Sequence, residues 1–494
     1  MNKTVKFVLY FFASLFIIYL ILLIPFETSP ELNIPVHKKF EWNQDSYFKL
    51  LESEFKKNRN LDCSKEDTII KQKLDYLNNL LDSSYKSEKN ILHPFYDTLL
   101  LGYFNVSTFI PVCDRHLSDY LQLGMKLRNV VKDKSVYLDI KNPEIRNRIY
   151  KLLYGIRAAN EEVLLQLPEE KSPKFIRVNP DESVIPSVKI MDNIIRSGDI
   201  LISRGGAPVS ALISRGNDYP GNFSHCAILY VDEKTHQPYI IESHIERGVT
   251  ISSIDEYLKD KKLRIMVLRL RSDLDEIKNN PMLPHLAAKN IFETASQKHI
   301  PYDFSLNFNN PEKMFCSEVI YIAYKSQNIQ LWDAMTYISD PGTIDWLSSF
   351  GVTNFYTHEP ADLEYDPRVN VISEWRDRNE LLKDHIHNAV TDALLDEANK
   401  GRKLDYSFYM LPIARVIKLY SMILNLFGKE GTIPEGLSPE SALKSETYKK
   451  YHSEISESVT GEVEKFISQN NYTPPYWELY NISKNKTEEY FLNK

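Results

Sequence analysis

Hydrophobic and polar positions divide the chain into successive textures. Residues 5–26 (VKFVLYFFASLFIIYLILLIPF) are apolar apart from Lys6, close to the roughly 20 residues with which a helix crosses a bilayer. From about 40 to 170, apolar residues recur every three or four positions, as in IIKQKLDYLNNLLDSSY (69–85) and LSDYLQLGMKLRNVV (117–131), a helical period. The stretch LPEEKSPKFIRVNPDESVIP (167–186) concentrates Pro and charge, as a linker or domain edge does. Between 194 and about 270 the runs GDILISRG (198–205), HCAILYV (225–231), PYIIES (238–243) and RIMVLRL (264–270) are short, rich in β-formers and bounded by turn residues, which predicts an antiparallel sheet. Helical periodicity returns in PHLAAKNIFETASQKH (284–299) and CSEVIYIAYKSQ (316–327), and again beyond Asp377. The apolar stretch YMLPIARVIKLYSMILNLF (409–427) contains Pro412, Arg415 and Lys418, which favours a buried or surface-docked helix over a second membrane span.

Composition narrows the possibilities. A hydrophobic fraction of 43% in 494 residues supports a large core and a globular class of about two to four domains. Lys+Arg 60 against Asp+Glu 67 gives a net charge of -7; with no basic run there is no footprint for nucleic acid. Four cysteines, Cys63, Cys113, Cys226 and Cys316, are too few for a disulfide framework, and no C-x-x-C pair proposes a structural zinc. Lys3 and Lys6 precede the apolar run and Glu27 and Glu31 follow it, so an uncleaved single-pass anchor would leave the bulk of the chain extracytoplasmic. A cleaved signal peptide is the competing reading, but no small-x-small cleavage pattern follows the run. In an oxidising compartment Cys63 and Cys113 form a disulfide or remain two unrelated buried thiols; the residues leave both open.

Two elements carry candidate chemistry. Cys316 opens a predicted helix, where unpaired N–H groups and the helix dipole favour a thiolate. His225 opens a predicted strand, from which an imidazole could pair with that thiolate and protonate a leaving group. Glu242, on the return strand of the hairpin, could orient the imidazole and complete a Cys-His-Glu triad. Counted from a turn centred on Thr235, however, a regular hairpin pairs Glu242 with Ile228 and turns it away from His225. A bulge would be needed to unite them, and His244 or Glu246 are the alternatives. Cys226, next to His225, should point to the opposite face and into the core as a structural residue.

GDILISRG, SHCAIL with His225, YIIES with Glu242, YDFSLNF (302–308), FCSEVIYIAY with Cys316, and PADLEYDPR (360–368) together resemble the permuted papain-like hydrolases of the NlpC/P60 superfamily, in the YiiX/YaeF group. The resemblance covers about residues 190–375. His225 precedes Cys316 by 91 residues (316 − 225), the permuted order. It implies a small antiparallel sheet packed on helices, thiol hydrolase chemistry on amide or related acyl bonds, and no metal or other cofactor. The substrate could be a peptide, a cell-wall stem peptide or a lipid-like acyl compound. Tyr302 and Asp303 read as pocket-wall or loop-ordering residues.

The expectation is an α+β protein: an anchor over 1–27, a helical region over 28–186, the papain-like catalytic domain over 187–375, and a helical region over 376–494. Its function is that of a membrane-anchored cysteine amidase or peptidase. A lipid esterase or acyltransferase of the same chemistry and a non-catalytic anchored scaffold are the alternatives.

Overall fold

The computed structural model describes residues 3–24, 31–178 and 182–493. Its centre is a seven-stranded antiparallel sheet of β1 (Phe175–Arg177), β2 (Ile200–Gly205), β3 (His225–Val231), β4 (Pro238–His244), β5 (Gly248–Ser252), β6 (Lys262–Leu270) and β7 (Val369–Arg376), in the order β1-β7-β6-β2-β3-β4-β5. The four expected strands are present as β2, β3, β4 and β6. The 167–186 stretch is more than a linker, because it supplies edge strand β1, paired with β7, ahead of the expected boundary at 187.

The main helices are α1 (Lys3–Leu22), α2 (Asp45–Asn58), α3 (Cys63–Tyr85), α4 (Phe95–Ser107), α5 (Leu117–Asp133), α6 (Pro143–Gln166), α7 (Pro208–Arg215), α8 (Leu283–Gln297), α9 (Cys316–Lys325), α10 (Pro341–Ser349), α11 (Arg378–Asn399), α12 (Leu411–Leu426), α13 (Pro439–Asn470) and α14 (Tyr476–Leu492). Strand alternation sorts the sheet's residues between two layers. Ile200, Ile202, Cys226, Ile228 and Ile241 pack with Ala287, Ile291, Val319 and Ile320 of α8 and α9. Leu201, Ala227, Leu229 and Ile240 form the opposite layer with Tyr257.

The helical flanks are locked to this sheet through buried charge. Glu161 on α6 accepts from Arg157 at 3.1 Å, from Arg376 on β7 at 3.2 Å and from His385 on α11 at 3.1 Å, and also pairs with Arg264 on β6. Arg128 on α5 donates to Glu374 on β7 at 2.6 Å. Such groups are tolerable inside a protein only when fully paired, so both flanks must be in place for the sheet's arginines to be neutralised.

Cys63 and Cys113 form a disulfide. Helix α1 is exposed along its described side chains up to Ile21, and Leu22 is half-buried. The end of the expected anchor, residues 25–27, and the side chains of Lys3 and Lys6 lie outside the described residues. By length and apolarity the described residues hold one candidate span, Phe408–Leu426, and a shorter apolar helix, Phe7–Leu22.

Candidate active site

Cys316 reaches the end of the sheet because the loop before it is pinned there. Val249 N–H donates to Ile300 O at 2.8 Å, Met314 N–H to Pro301 O at 3.0 Å, and the Ser243 hydroxyl to Met314 O at 2.6 Å. The chain then turns into α9, with extended Phe315 as N-cap and its N–H donating to the Glu318 carboxylate at 3.0 Å. Cys316 Sγ lies 4.0 Å from the Ser224 carbonyl oxygen, just before β3 begins. His225 is the first residue of that strand, and its ring is near enough to the Cys316 thiol for each group to favour the other's charged form.

The β3–β4 hairpin corrects the expected register. Ala227, not Ile228, is the partner of Glu242, so Glu242 shares the face of His225 without a bulge. The cause is the turn. Asp232 N–H donates to Gln237 O at 3.0 Å, and the Asp232 carboxylate accepts from the N–H groups of Lys234 at 3.0 Å and Thr235 at 2.8 Å. The centre of this six-residue connection therefore falls between Lys234 and Thr235. His225 Nε2 lies 2.7 Å from Glu242 Oε2, and His244 Nε2 lies 3.0 Å from its other oxygen. His244 thus joins Glu242 rather than replacing it, and Glu246 is exposed.

The electrostatics form one coupled system. Hydrogen bonding from the Cys226 thiol and the His225 ring holds the Cys316 thiol well below the usual cysteine range, against the opposing effect of burial. Burial disfavours the His225 imidazolium, but the Cys316 sulfur and Glu242 outweigh it and raise its pKa to about 10. Burial would also raise the Glu242 carboxyl, yet the two rings hold it well below the ordinary carboxylate range. Both shifts favour a thiolate–imidazolium pair, the form in which a thiol is nucleophilic.

Cys226 is buried on the face opposite His225, as expected, but it is more than core filling, because its proximity favours the ionised form of the Cys316 thiol. Asp303 orders its loop, accepting from Ser305 N–H at 3.0 Å and Asn307 N–H at 2.9 Å. Tyr302 lies close enough to Cys316 for the sulfur's charge to add to burial in raising its phenol. Two acids near the sulfur were missed. Glu318 is pushed up to about 8 by burial, so it is neutral beside the thiolate at pH 7; its place three residues after the N-cap was the available signal. Glu359 is buried and also raised, chiefly by burial. It is held near the start of α9 by the Ser317 hydroxyl donating to His358 O at 2.8 Å, a link that no motif announces.

His225, Glu242 and His244 also present donor atoms that lie within 4.8 Å of one another. Two imidazoles and a carboxylate are a donor set that zinc accepts. Here both carboxylate oxygens face ring nitrogens directly.

A cysteine at a helix start, a histidine from an earlier strand and a carboxylate behind it, set where an antiparallel sheet meets helices, are the arrangement that a thiol hydrolase of permuted order requires. Residues 194–373 match the family described as permuted papain-like amidase enzyme, YaeF/YiiX, C92 family. This segment is therefore a cysteine-hydrolase domain of the amidase and peptidase type. No curated protein and no solved structure matches the chain.

Proposed function

We propose that the protein is a membrane-anchored, extracytoplasmic cysteine amidase in which Cys316 is the nucleophile, His225 the proton carrier and Glu242 the carboxylate that orients it. The Cys316 thiolate attacks the amide carbonyl, and the developing oxyanion lies toward the unpaired N–H groups opening α9. The His225 imidazolium protonates the leaving amine as the C–N bond breaks, leaving a thioester. Water then loses a proton to His225 as it attacks that thioester, and the thiolate departs with the acid product free. Glu242, fixed by two rings, keeps His225 in one orientation and supports its charged form. Tyr302 walls the cleft, and Asp303 holds the loop that carries it.

The observation that carries this reading is the 2.7 Å contact between Glu242 and His225, at the start of the strand that Cys316 abuts from the head of α9. The scissile bond is an amide of a peptide or cell-wall stem peptide; a lipid acyl bond is open to the same chemistry. Cys63–Cys113 suits an oxidising compartment, in agreement with the charge order around the N-terminal apolar run. Iodoacetamide at mildly acidic pH tests the reading. Mass spectrometry should find Cys316 carbamidomethylated in preference to Cys226, and His225→Ala should suppress the modification. Labelling of Cys316 no faster than an ordinary buried thiol would overturn it.

A further inference from the structure

Helix α12 is inverted for a water-facing helix. Its two charges turn inward: Arg415 donates to Leu22 O at 2.9 Å and to Glu440 at 2.8 Å, and Lys418 donates to the carbonyls of Pro434 at 2.6 Å and Glu435 at 2.7 Å. Its exposed positions are all apolar or aromatic, including Val416, Leu419, Tyr420, Met422, Ile423 and Leu426. A globular surface helix shows the opposite arrangement, and a contiguous apolar face of this extent marks a binding surface. Of the two placements expected from Pro412, Arg415 and Lys418, the outward apolar side rules out the buried one.

Two features identify lipid as what covers it. The face adjoins α1, the other exposed apolar helix, through Arg415 on Leu22 and the Tyr19 hydroxyl donating to Tyr409 O at 3.4 Å. No polar residue of α12 is exposed, so apart from the Tyr420 hydroxyl its outer face offers no hydrogen-bonding group to a protein partner, where interfaces ordinarily carry several.

The same helix is built into the catalytic rim. The Ser421 hydroxyl accepts Ile433 N–H at 3.1 Å, and Phe304 packs against the cluster of Ala414, Ile433 and Leu437. Phe304 meets the Tyr302 ring at 5.0 Å. A Cβ at Gly436 would lie 2.7 Å from the Phe304 ring and 3.3 Å from Tyr302 O, so the segment after α12 lies directly on the Tyr302 loop. Glu430 pairs with Arg247 at 2.7 Å, beyond the end of β4, and Glu435 with His299 at 2.9 Å.

We propose that the outer face of α12 rests in the lipid–water interface and presents the Cys316 cleft to a membrane-resident substrate, an amide or ester of a long-chain acyl group. The substrate class rests on the hydrolase reading above; the seat of the helix does not.

The test uses the full chain in lipid nanodiscs, with Cys226→Ala and Cys316→Ala removing the free thiols. Bimane is placed at Val416→Cys, Leu419→Cys or Ile423→Cys, with Lys465→Cys as an exposed reference. Acyl-brominated lipid should quench most of the fluorescence at the three α12 positions and little at the reference, with aqueous iodide doing the reverse. Iodide quenching at all three α12 positions, or their protection by a second copy of the chain without lipid quenching, overturns the proposal whatever bond the enzyme cleaves. In the otherwise unsubstituted enzyme, Leu419→Asp with Ile423→Asp should lower turnover of a long-chain N-acyl amide in vesicles about tenfold, and leave a short-chain soluble analogue unchanged. Equal loss on both overturns the substrate class. No turnover of either by the unsubstituted enzyme counts against the hydrolase reading, while the quenching still decides the seat of α12.

Discussion

Ala227 and Glu242 are partners across the β3–β4 hairpin, and that pairing sets the Glu242 carboxylate 2.7 Å from His225 Nε2. A slip of one residue would turn the carboxylate to the other face of the sheet. Cys316→Ala should abolish turnover, and His225→Ala should be nearly as severe, because nucleophile and base act as a unit. Glu242→Ala should cost about 10²–10⁴ in kcat/KM, the usual scale for a misplaced acid–base group. Glu242→Gln should cost less, since one oxygen still accepts. His244→Ala should be the mildest, because Glu242 keeps its bond to His225. Steady-state kinetics with thermal melts of each variant check this order, and full activity in Glu242→Ala would remove it from the relay.

The cysteine and the histidine of that relay were legible in the chain, and its geometry was not. Cys316 and His225 announce themselves because helix and strand starts have readable patterns. The partner of Glu242 depended on where a six-residue turn is centred, which the Asp232 carboxylate decides through hydrogen bonds invisible in a string of residues. Strand β1 was hidden by the Pro and charge around it. Nothing in the sequence singles out Glu161, Arg157, Arg264 and Arg376, because their burial follows from the meeting of three segments far apart in sequence. The inward turn of Arg415 and Lys418 on α12 was hidden for the same reason.

The pH profile should follow the shifted groups. His225 has its folded-state pKa raised from 6.5 to about 10, so its ion-paired contribution is complete below about 6.5 and lost as pH rises through about 10. Glu242 is depressed; its contribution is present above the ordinary carboxylate value and lost only as pH falls well below it. The log of kcat/KM should therefore be flat through neutrality, with an alkaline fall near about 10. Glu242→Gln removes one cause of the raised value, so the fall should move to lower pH. An alkaline limb that stays in place in this variant would contradict the coupling.

Chelation separates the two chemistries that His225, Glu242 and His244 could support. A thiol hydrolase keeps its rate after dialysis against EDTA and loses it to iodoacetamide, whereas zinc chemistry on the same donors behaves the other way. We expect unchanged activity after EDTA and no gain on adding zinc. Loss with EDTA that zinc restores would move the function from Cys316 to the histidine pair.

Cys63 and Cys113 close a loop of 50 residues in sequence, which in the chain-entropy account stabilises the fold by about 4 kcal/mol. Cys63→Ser with Cys113→Ser should lower the denaturant midpoint accordingly. In the unreduced, unfolded wild type, two thiols should alkylate, and four after reduction. Four in both conditions would eliminate the bond.

The last prediction concerns Glu161, the buried anion on which Arg157, Arg264, Arg376 and His385 converge. These groups come from α6, β6, β7 and α11, so this carboxylate joins the N-terminal helices, the catalytic sheet and the C-terminal helices. Burial disfavours the Arg376 cation and pulls it down to about 9, even with Glu161 supporting it. Removing the carboxylate leaves three guanidinium groups crowded in a dry site, and breaking a buried pair from one side costs about 3–5 kcal/mol. Glu161→Gln should therefore destabilise the whole chain in one cooperative transition, with flanks and sheet unfolding together. Arg376→Met should cost less, because Glu161 keeps three partners. Denaturant unfolding followed by one label on α6 and another on β7 would distinguish the outcomes. Separate transitions for the two probes, or a Glu161→Gln cost under about 1 kcal/mol, would mean that the flanks are held by apolar packing and that the ion cluster is incidental.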